Sequence, residues 1–250
     1  MRNIQGLEEE KYYLGDEDDY KKIYNIISHM PNFVLSNQVE TNYVDYFYDT
    51  PDKFLEQNRA SVRVRKLDDK QILSIKYVSS NALQEEKVRE AYLEMPLDAD
   101  ITSYREAHLF LSNKINDIYA RYLDIDIVRK MRDLKVYLVI YTNRTTYELK
   151  NNREIRIAVN FDRLTYQSKF IENGESTVKF VLYNYPDKLT LETFNHFIKE
   201  INRRVYFVND NESKFEAGKR ILNYDRFNLK PKDSDEEEEE DESEDDSNKE

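Results

Sequence analysis

The chain of 250 residues carries 38 Lys and Arg against 50 Asp and Glu, a formal net charge of −12, with no Cys and three scattered His (His29, His108, His196). The last eighteen residues, Asp233 to Glu250, hold thirteen acids and one Lys, so the whole negative excess lies there and the preceding body is electrically balanced. These numbers exclude a disulfide framework, a thiolate zinc site and a Cys nucleophile, and they argue against a His-based triad; a metal would have to be a hard cation held by carboxylates.

Only four Gly are present and neither GxxxxGK[ST] nor GxGxxG occurs, so a Gly-rich phosphate loop is not available. The longest strongly apolar run, Val136 to Tyr141, is far short of the roughly 20 residues that cross a bilayer. The opening MRNIQGLEEEK has no apolar stretch after its Arg. The expectation is a soluble, cytoplasmic protein without a membrane span of its own.

In chain order, Glu8 to Leu14 reads as a strand, and Asp18 to His29 as a helix with Tyr20, Ile23, Ile26 and Ile27 on one stripe. Asn42 to Asp49 is a Tyr-rich alternating strand closed by the turn Asp49-Thr50-Pro51-Asp52. Further strands are expected at Ala60 to Leu67, Gln71 to Val78 and Gln84 to Glu94, the first two joined by a tight hairpin at Leu67-Asp68-Asp69-Lys70. Ile101 to Met131 has a helical pattern with Leu109, Ile115, Ile118, Tyr119 and Leu123 on its apolar face. Lys135 to Leu149 and Arg153 to Tyr166 follow as strands around a turn at Lys150-Asn151-Asn152, then Ser176 to Asn184. Leu189 to Arg203 predicts an amphipathic helix and Ser213 to Leu222 a short closing one.

The sum is an α+β domain over residues 1–230: about eight antiparallel strands, which commonly close into a barrel, with helices packed outside. Residues 231–250 form a self-repelling acidic tail expected to be disordered. Such a tail is mostly a solubilising segment, with a basic protein as its alternative partner.

The charges fall at strand spacing. In Ser61-Val62-Arg63-Val64-Arg65 both Arg point to one sheet face and both Val to the other. Lys76 alternates with Ile75, Lys87 and Arg89 share one face on either side of Val88, Arg156 alternates with Ile155 and Ile157, and Lys179 with Val178 and Phe180. A solvated outer face explains any one such strand. Their recurrence suggests instead that helices cover the apolar face and that the cations line the interior. Such a lumen needs counter-charge, from inward carboxylates or from a bound polyanion.

The ordered motifs resemble the triphosphate tunnel metalloenzymes, the CYTH-like superfamily, and among them most nearly the polyphosphate polymerase (VTC) domain of the vacuolar transporter chaperone complex. The resemblance is carried by Glu10-Lys11-Tyr12, by Val44-Asp45-Tyr46-Phe47-Tyr48-Asp49-Thr50-Pro51 and by Val62-Arg63-Val64-Arg65. It continues in Lys76 and Lys87, in Asn143-Arg144-Thr145 with Arg156 twelve residues on, in Val178-Lys179-Phe180 and in Ser213-Lys214-Phe215.

The resemblance implies an eight-stranded tunnel barrel and phosphoryl transfer with Mn²⁺ or Mg²⁺. It assigns Arg63, Arg65, Lys76, Arg144, Arg156 and Lys214 to the reacting phosphates, and Lys11, Lys87, Arg89 and Lys179 to holding the rest of the ligand. Where the family's closing strand carries a metal-holding Glu, this chain has Thr177; Glu10, Glu90 and Glu175 are the candidate substitutes. The implied partners are polyphosphate, ATP or another triphosphate. Three activities follow: polyphosphate synthesis, a triphosphatase of the same fold (acting on inorganic triphosphate, nucleotides or an RNA 5′ end), and a module that binds polyphosphate without turnover.

Overall fold

The computed structural model describes residues 7–57, 60–68, 70–78, 90–97, 134–168, 171–183, 187–210 and 212–222. The expected helix at 101–131 and the acidic tail lie outside these residues. The strands are β1 (Leu7–Leu14), β2 (Phe33–Asp49), β3 (Ser61–Leu67), β4 (Lys70–Val78), β5 (Glu90–Leu97), β6 (Lys135–Asn151), β7 (Arg156–Gln167), β8 (Glu172–Tyr183) and β9 (Val208–Asn209). The helices are α1 (Glu17–Ser28), α2 (Phe54–Gln57), α3 (Lys188–Asn202) and α4 (Lys214–Ile221).

All nine strands join one antiparallel sheet in the order β5-β4-β3-β2-β6-β7-β8-β1-β9. The expected barrel is met by the strands and their direction. Closure is not: among the described residues the pairing ends at β5 on one side and at β9 on the other.

Period-two alternation gives the sheet two chemically distinct faces. The apolar one buries Tyr12, Tyr147, Val159, Phe161, Val178 and Phe180 against Ile23 and Ile27 of α1 and Phe194, Phe197 and Ile201 of α3. Both helices start where the sequence provides an acceptor. Asp16 takes the Asp19 N–H at 3.0 Å and Asp187 takes the Thr190 N–H at 2.7 Å.

α4 packs on the opposite face of the sheet. Its Ala217, with Leu222, covers Leu138, Ile140, Leu164 and Tyr166 of β6 and β7. Gly218 permits this approach, because a Cβ there would stand 2.6 Å from Leu138 Cδ2 and 2.8 Å from Tyr166 Cδ1. A capping box fixes its start: Glu216 N–H donates to Ser213 Oγ at 3.2 Å and Ser213 N–H to Glu216 Oε2 at 2.9 Å. α4 thus fills part of the polar face and carries Lys214 into it.

Candidate phosphate-binding face

Register decides which side chains share this face. Arg63 and Arg65 stand opposite Phe47 and Asp45 of β2, Tyr43 opposite Thr142, Arg144 opposite Asp162, Asn160 opposite Lys179, and Lys179 opposite Lys11. The intervening Val62 and Val64 are buried on the other side.

The centre of the face is a set of pairs. Arg65 donates from Nε and Nη2 to the two oxygens of Asp45 at 2.7 and 2.9 Å. Arg144 does the same to Asp162 at 2.6 and 2.7 Å. Lys214 donates to Tyr43 Oη at 3.0 Å and Thr142 Oγ1 at 3.2 Å and lies 3.2 Å from Asp162 Oδ2. Arg63 donates to Ser74 Oγ at 2.8 Å and lies 3.8 Å from Asp45 and 3.9 Å from Glu94. The carboxylates on this face therefore supply part of the counter-charge its cations need, and they are withdrawn from water: the Asp45 and Asp162 side chains are 0% and 2% exposed.

Burial alone would raise the Asp162 carboxyl; the Arg144 and Lys214 cations overrule it and hold it at about 2. Burial works against the Arg65 and Arg144 charges as well, but the two carboxylates outweigh it and both guanidinium groups are raised. The Arg144 charge acts on Arg65 in the opposite direction, so the cations feel one another. Each carboxylate takes two of the five N–H groups of its Arg, leaving donors for an incoming anion.

Lys214 stands in the first turn of α4, where the helix dipole disfavours a cation. Its place is set by Tyr43, Thr142 and Asp162 instead. Sequence reasoning missed Asp162 and Tyr43 as members of this cluster. A lone Asp or Tyr on an alternating strand carries no signal of its partner until the register is known.

Lys11 and Lys179 share the face two strands away, with Lys11 ion-paired to the buried Asp210. The position of Lys76 is in register with Ser61, and that of Glu90 with Val78. Lys87 and Arg89 lie outside the described residues.

Two assignments need correction. Glu10 belongs to the other face: it stands opposite Phe180, and its carboxylate accepts the Tyr12 hydroxyl. The reason is elementary, since neighbours on a strand point to opposite sides and Lys11 points to the polar face. Arg156 does not meet Arg144. It is exposed at the end of β7 opposite Lys150, in a cavity of about 550 Å³ with Ser36, Asn37, Glu148 and Tyr183. Asp162 is six positions further along the strand, about 20 Å at ~3.3 Å per residue.

Glu175 does lie near α4, but its oxygens are occupied: Tyr166 Oη donates at 2.5 Å and Arg220 Nη2 at 3.4 Å. Thr177, where the resemblance expects the metal-holding Glu, is 1% exposed and its Oγ1 has no partner among the described residues. No group of three potential metal-ligating residues is found among the described residues. Among the described residues, Asp45, Asp162 and Glu175 are each engaged by cations or hydroxyls and form no cage for a divalent cation.

The CYTH domain family model matches residues 11–179. Among solved structures, a Hippeastrum adenylyl cyclase candidate with a dominant triphosphatase activity is 14% identical, with a TM-score of 0.56, over 86% of this chain and 96% of that one. A Vibrio parahaemolyticus adenylate cyclase candidate is 16% identical over 85% and 97%, with a TM-score of 0.42. The mimivirus capping-enzyme triphosphatase is 13% identical over 80% and 90%, also with a TM-score of 0.42. No curated protein matches the sequence. With the matched segment running from Lys11 of β1 to its register partner Lys179 of β8 and covering more than half of the sequence, the chain belongs to the CYTH domain family.

Proposed function

We propose that the protein is a triphosphatase that binds the phosphate chain of a triphosphate on the Arg63, Arg65, Arg144 and Lys214 face and hydrolyses a phosphoanhydride bond there. The observation that carries this reading is the convergence of cations from β3, β6 and α4 around Tyr43, two of them braced by buried carboxylates. The Hippeastrum protein of the same fold has triphosphatase activity. No comparison favours the polyphosphate polymerases in particular.

The chemistry follows from charge. The transferred phosphoryl spreads negative charge over its nonbridging oxygens, so positioning and electrostatic neutralisation lower the barrier. Guanidinium forks held by Asp45 and Asp162 need little reorganisation when the anion arrives, and their planar donors match phosphate geometry. Water attacks the phosphorus, the P–O bond to the leaving phosphate breaks with its electron pair going to that phosphate, the proton of the water passes to a phosphate oxygen or to solvent, and the remaining anion keeps its contacts to the Lys and Arg side chains.

A divalent cation, Mg²⁺ or Mn²⁺, is the cofactor the resemblance brings. With Glu175 engaged and Thr177 in the usual Glu position, a cation arriving on the substrate phosphates fits these residues better than a resident one.

The test is product analysis with tripolyphosphate, ATP and 5′-triphosphorylated RNA, each with Mn²⁺ or Mg²⁺. Release of orthophosphate supports the reading. Lengthening of polyphosphate from ATP would replace it with synthesis, and tight binding without any product would reduce it to a binding role.

A further inference from the structure

We propose that Tyr43 is the positioning residue of the cation cluster, a neutral attractor that holds Arg65, Arg144 and Lys214 together without cancelling the charge an anion needs. The inference rests on the phosphate-binding reading of the same face.

Tyr43 is 5% exposed and stands where β2, β3, β6 and α4 meet. Arg65 Cζ is 4.0 Å from its centroid, Lys214 Nζ 5.0 Å and Arg144 Cζ 5.5 Å. All three fall within the ~6 Å reach of a cation–π contact, which strengthens when the partners are desolvated. The hydroxyl adds a second hold, accepting from Lys214 Nζ at 3.0 Å.

Three cations this close repel one another, and Asp45 and Asp162 offset only part of that. A third carboxylate at position 43 would gather them equally well but would leave the cluster without excess positive charge. An aliphatic side chain would fill the space and attract nothing. A tyrosine satisfies both demands: its ring quadrupole draws the cations inward, and its hydroxyl is uncharged.

A buried tyrosine can also be mere filler, and the two roles differ in what they move. Filler changes stability and leaves ligand affinity alone; a positioning ring changes affinity and can be rescued by another ring. The experiment titrates tripolyphosphate calorimetrically into wild type, Tyr43→Phe and Tyr43→Leu in the full chain, with melting temperatures recorded without ligand. Phe should bind within about threefold of wild type and Leu about tenfold more weakly, and in turnover Leu should raise KM far more than it lowers kcat.

Leu binding within twofold of wild type, or Phe as weak as Leu, overturns the proposal. Should Leu fail to fold, phenylalanine with one, two and three ring fluorines at position 43 keeps the shape and weakens the quadrupole. Affinity should fall stepwise along that series, and a flat series overturns the proposal. A wild type that binds no tripolyphosphate sinks the functional reading and this inference with it. Normal wild-type binding with insensitive variants sinks the inference alone.

Discussion

Arg144 and Asp162 stand directly opposite each other on β6 and β7 and meet through two parallel hydrogen bonds of 2.6 and 2.7 Å. Arg65 and Asp45 repeat the relationship on β3 and β2, at 2.7 and 2.9 Å. In both pairs the carboxylate is the more deeply buried partner. It fixes the plane of the guanidinium and lowers the repulsion among cations, while the Arg keeps further N–H groups for a ligand.

Such a face predicts a ligand-dependent stability. Tripolyphosphate should raise the melting temperature, by an amount equivalent to about 2.7 kcal/mol at a hundredfold excess over its Kd, and the rise should shrink with added salt. Arg65→Ala should abolish most of it. Lys22→Ala should not, since that side chain is 58% exposed on α1 and pairs with Asp19 of its own helix. Thermal melts with and without tripolyphosphate decide; equal shifts in wild type and Arg65→Ala would place the anion elsewhere.

Asp162 sets an acid limit. Its carboxyl is held at about 2 against an ordinary 3.8. The folded value is depressed, so the stabilisation is present above the unfolded value and is lost as pH falls from about 4 through 2, a contribution of about 2 kcal/mol. Asp162→Asn should remove that pH dependence and cost about 3 kcal/mol or more at neutral pH, because Arg144 and Lys214 lose a buried partner. Tripolyphosphate should restore more stability to this variant than to wild type. Urea unfolding at pH 2, 3, 4 and 7 reads these effects, and an unchanged acid transition in Asp162→Asn would show that the carboxylate is not what titrates.

Gly218 ties the fold to the site. An added methyl would meet Leu138 and the buried Tyr166 ring, and overpacking of this kind costs about 1–3 kcal/mol. Gly218→Ala should therefore destabilise by that amount and also weaken tripolyphosphate binding, since lifting α4 draws Lys214 away from Tyr43 and Asp162. A stability loss with unchanged affinity would mean that Lys214 is positioned independently of the helix.

Much of this was legible from alternation alone. Arg63 and Arg65 against Val62 and Val64 fixed the two faces of β3, the apolar stripes located α1 and α3 to within a residue, and the short closing helix expected at Ser213 to Leu222 is α4. What failed has local causes. β2 begins at Phe33 rather than near 42, because its first half is largely exposed and lacks the apolar alternation that marks a half-buried strand. β7 begins at Arg156 rather than Arg153. The Asn151 side chain accepts from the Arg153 and Ile155 N–H groups, and Glu154 adopts φ 63°, so those residues form the turn. The two-residue β9 is too short to leave a pattern.

Glu10 and Lys11 give the sharpest comparison of adjacent residues. The motif Glu10-Lys11-Tyr12 reads as one functional unit, yet the strand sends Lys11 to the polar face and Glu10 toward the apolar one. There the Glu10 carboxylate accepts the Tyr12 hydroxyl; burial first, and this carboxylate second, push that phenol up to about 12. Glu10→Gln should leave tripolyphosphate affinity and Mn²⁺ dependence of turnover unchanged, with a stability change under about 1 kcal/mol for one partly buried hydrogen bond. Lys179→Gln, one residue from the position facing Glu10 but on the polar face, should weaken binding severalfold and flatten its salt dependence. Side-by-side titrations of the two variants at low and high salt measure this. A Glu10→Gln variant that loses Mn²⁺ dependence would return that carboxylate to the metal and contradict the face assigned to it here.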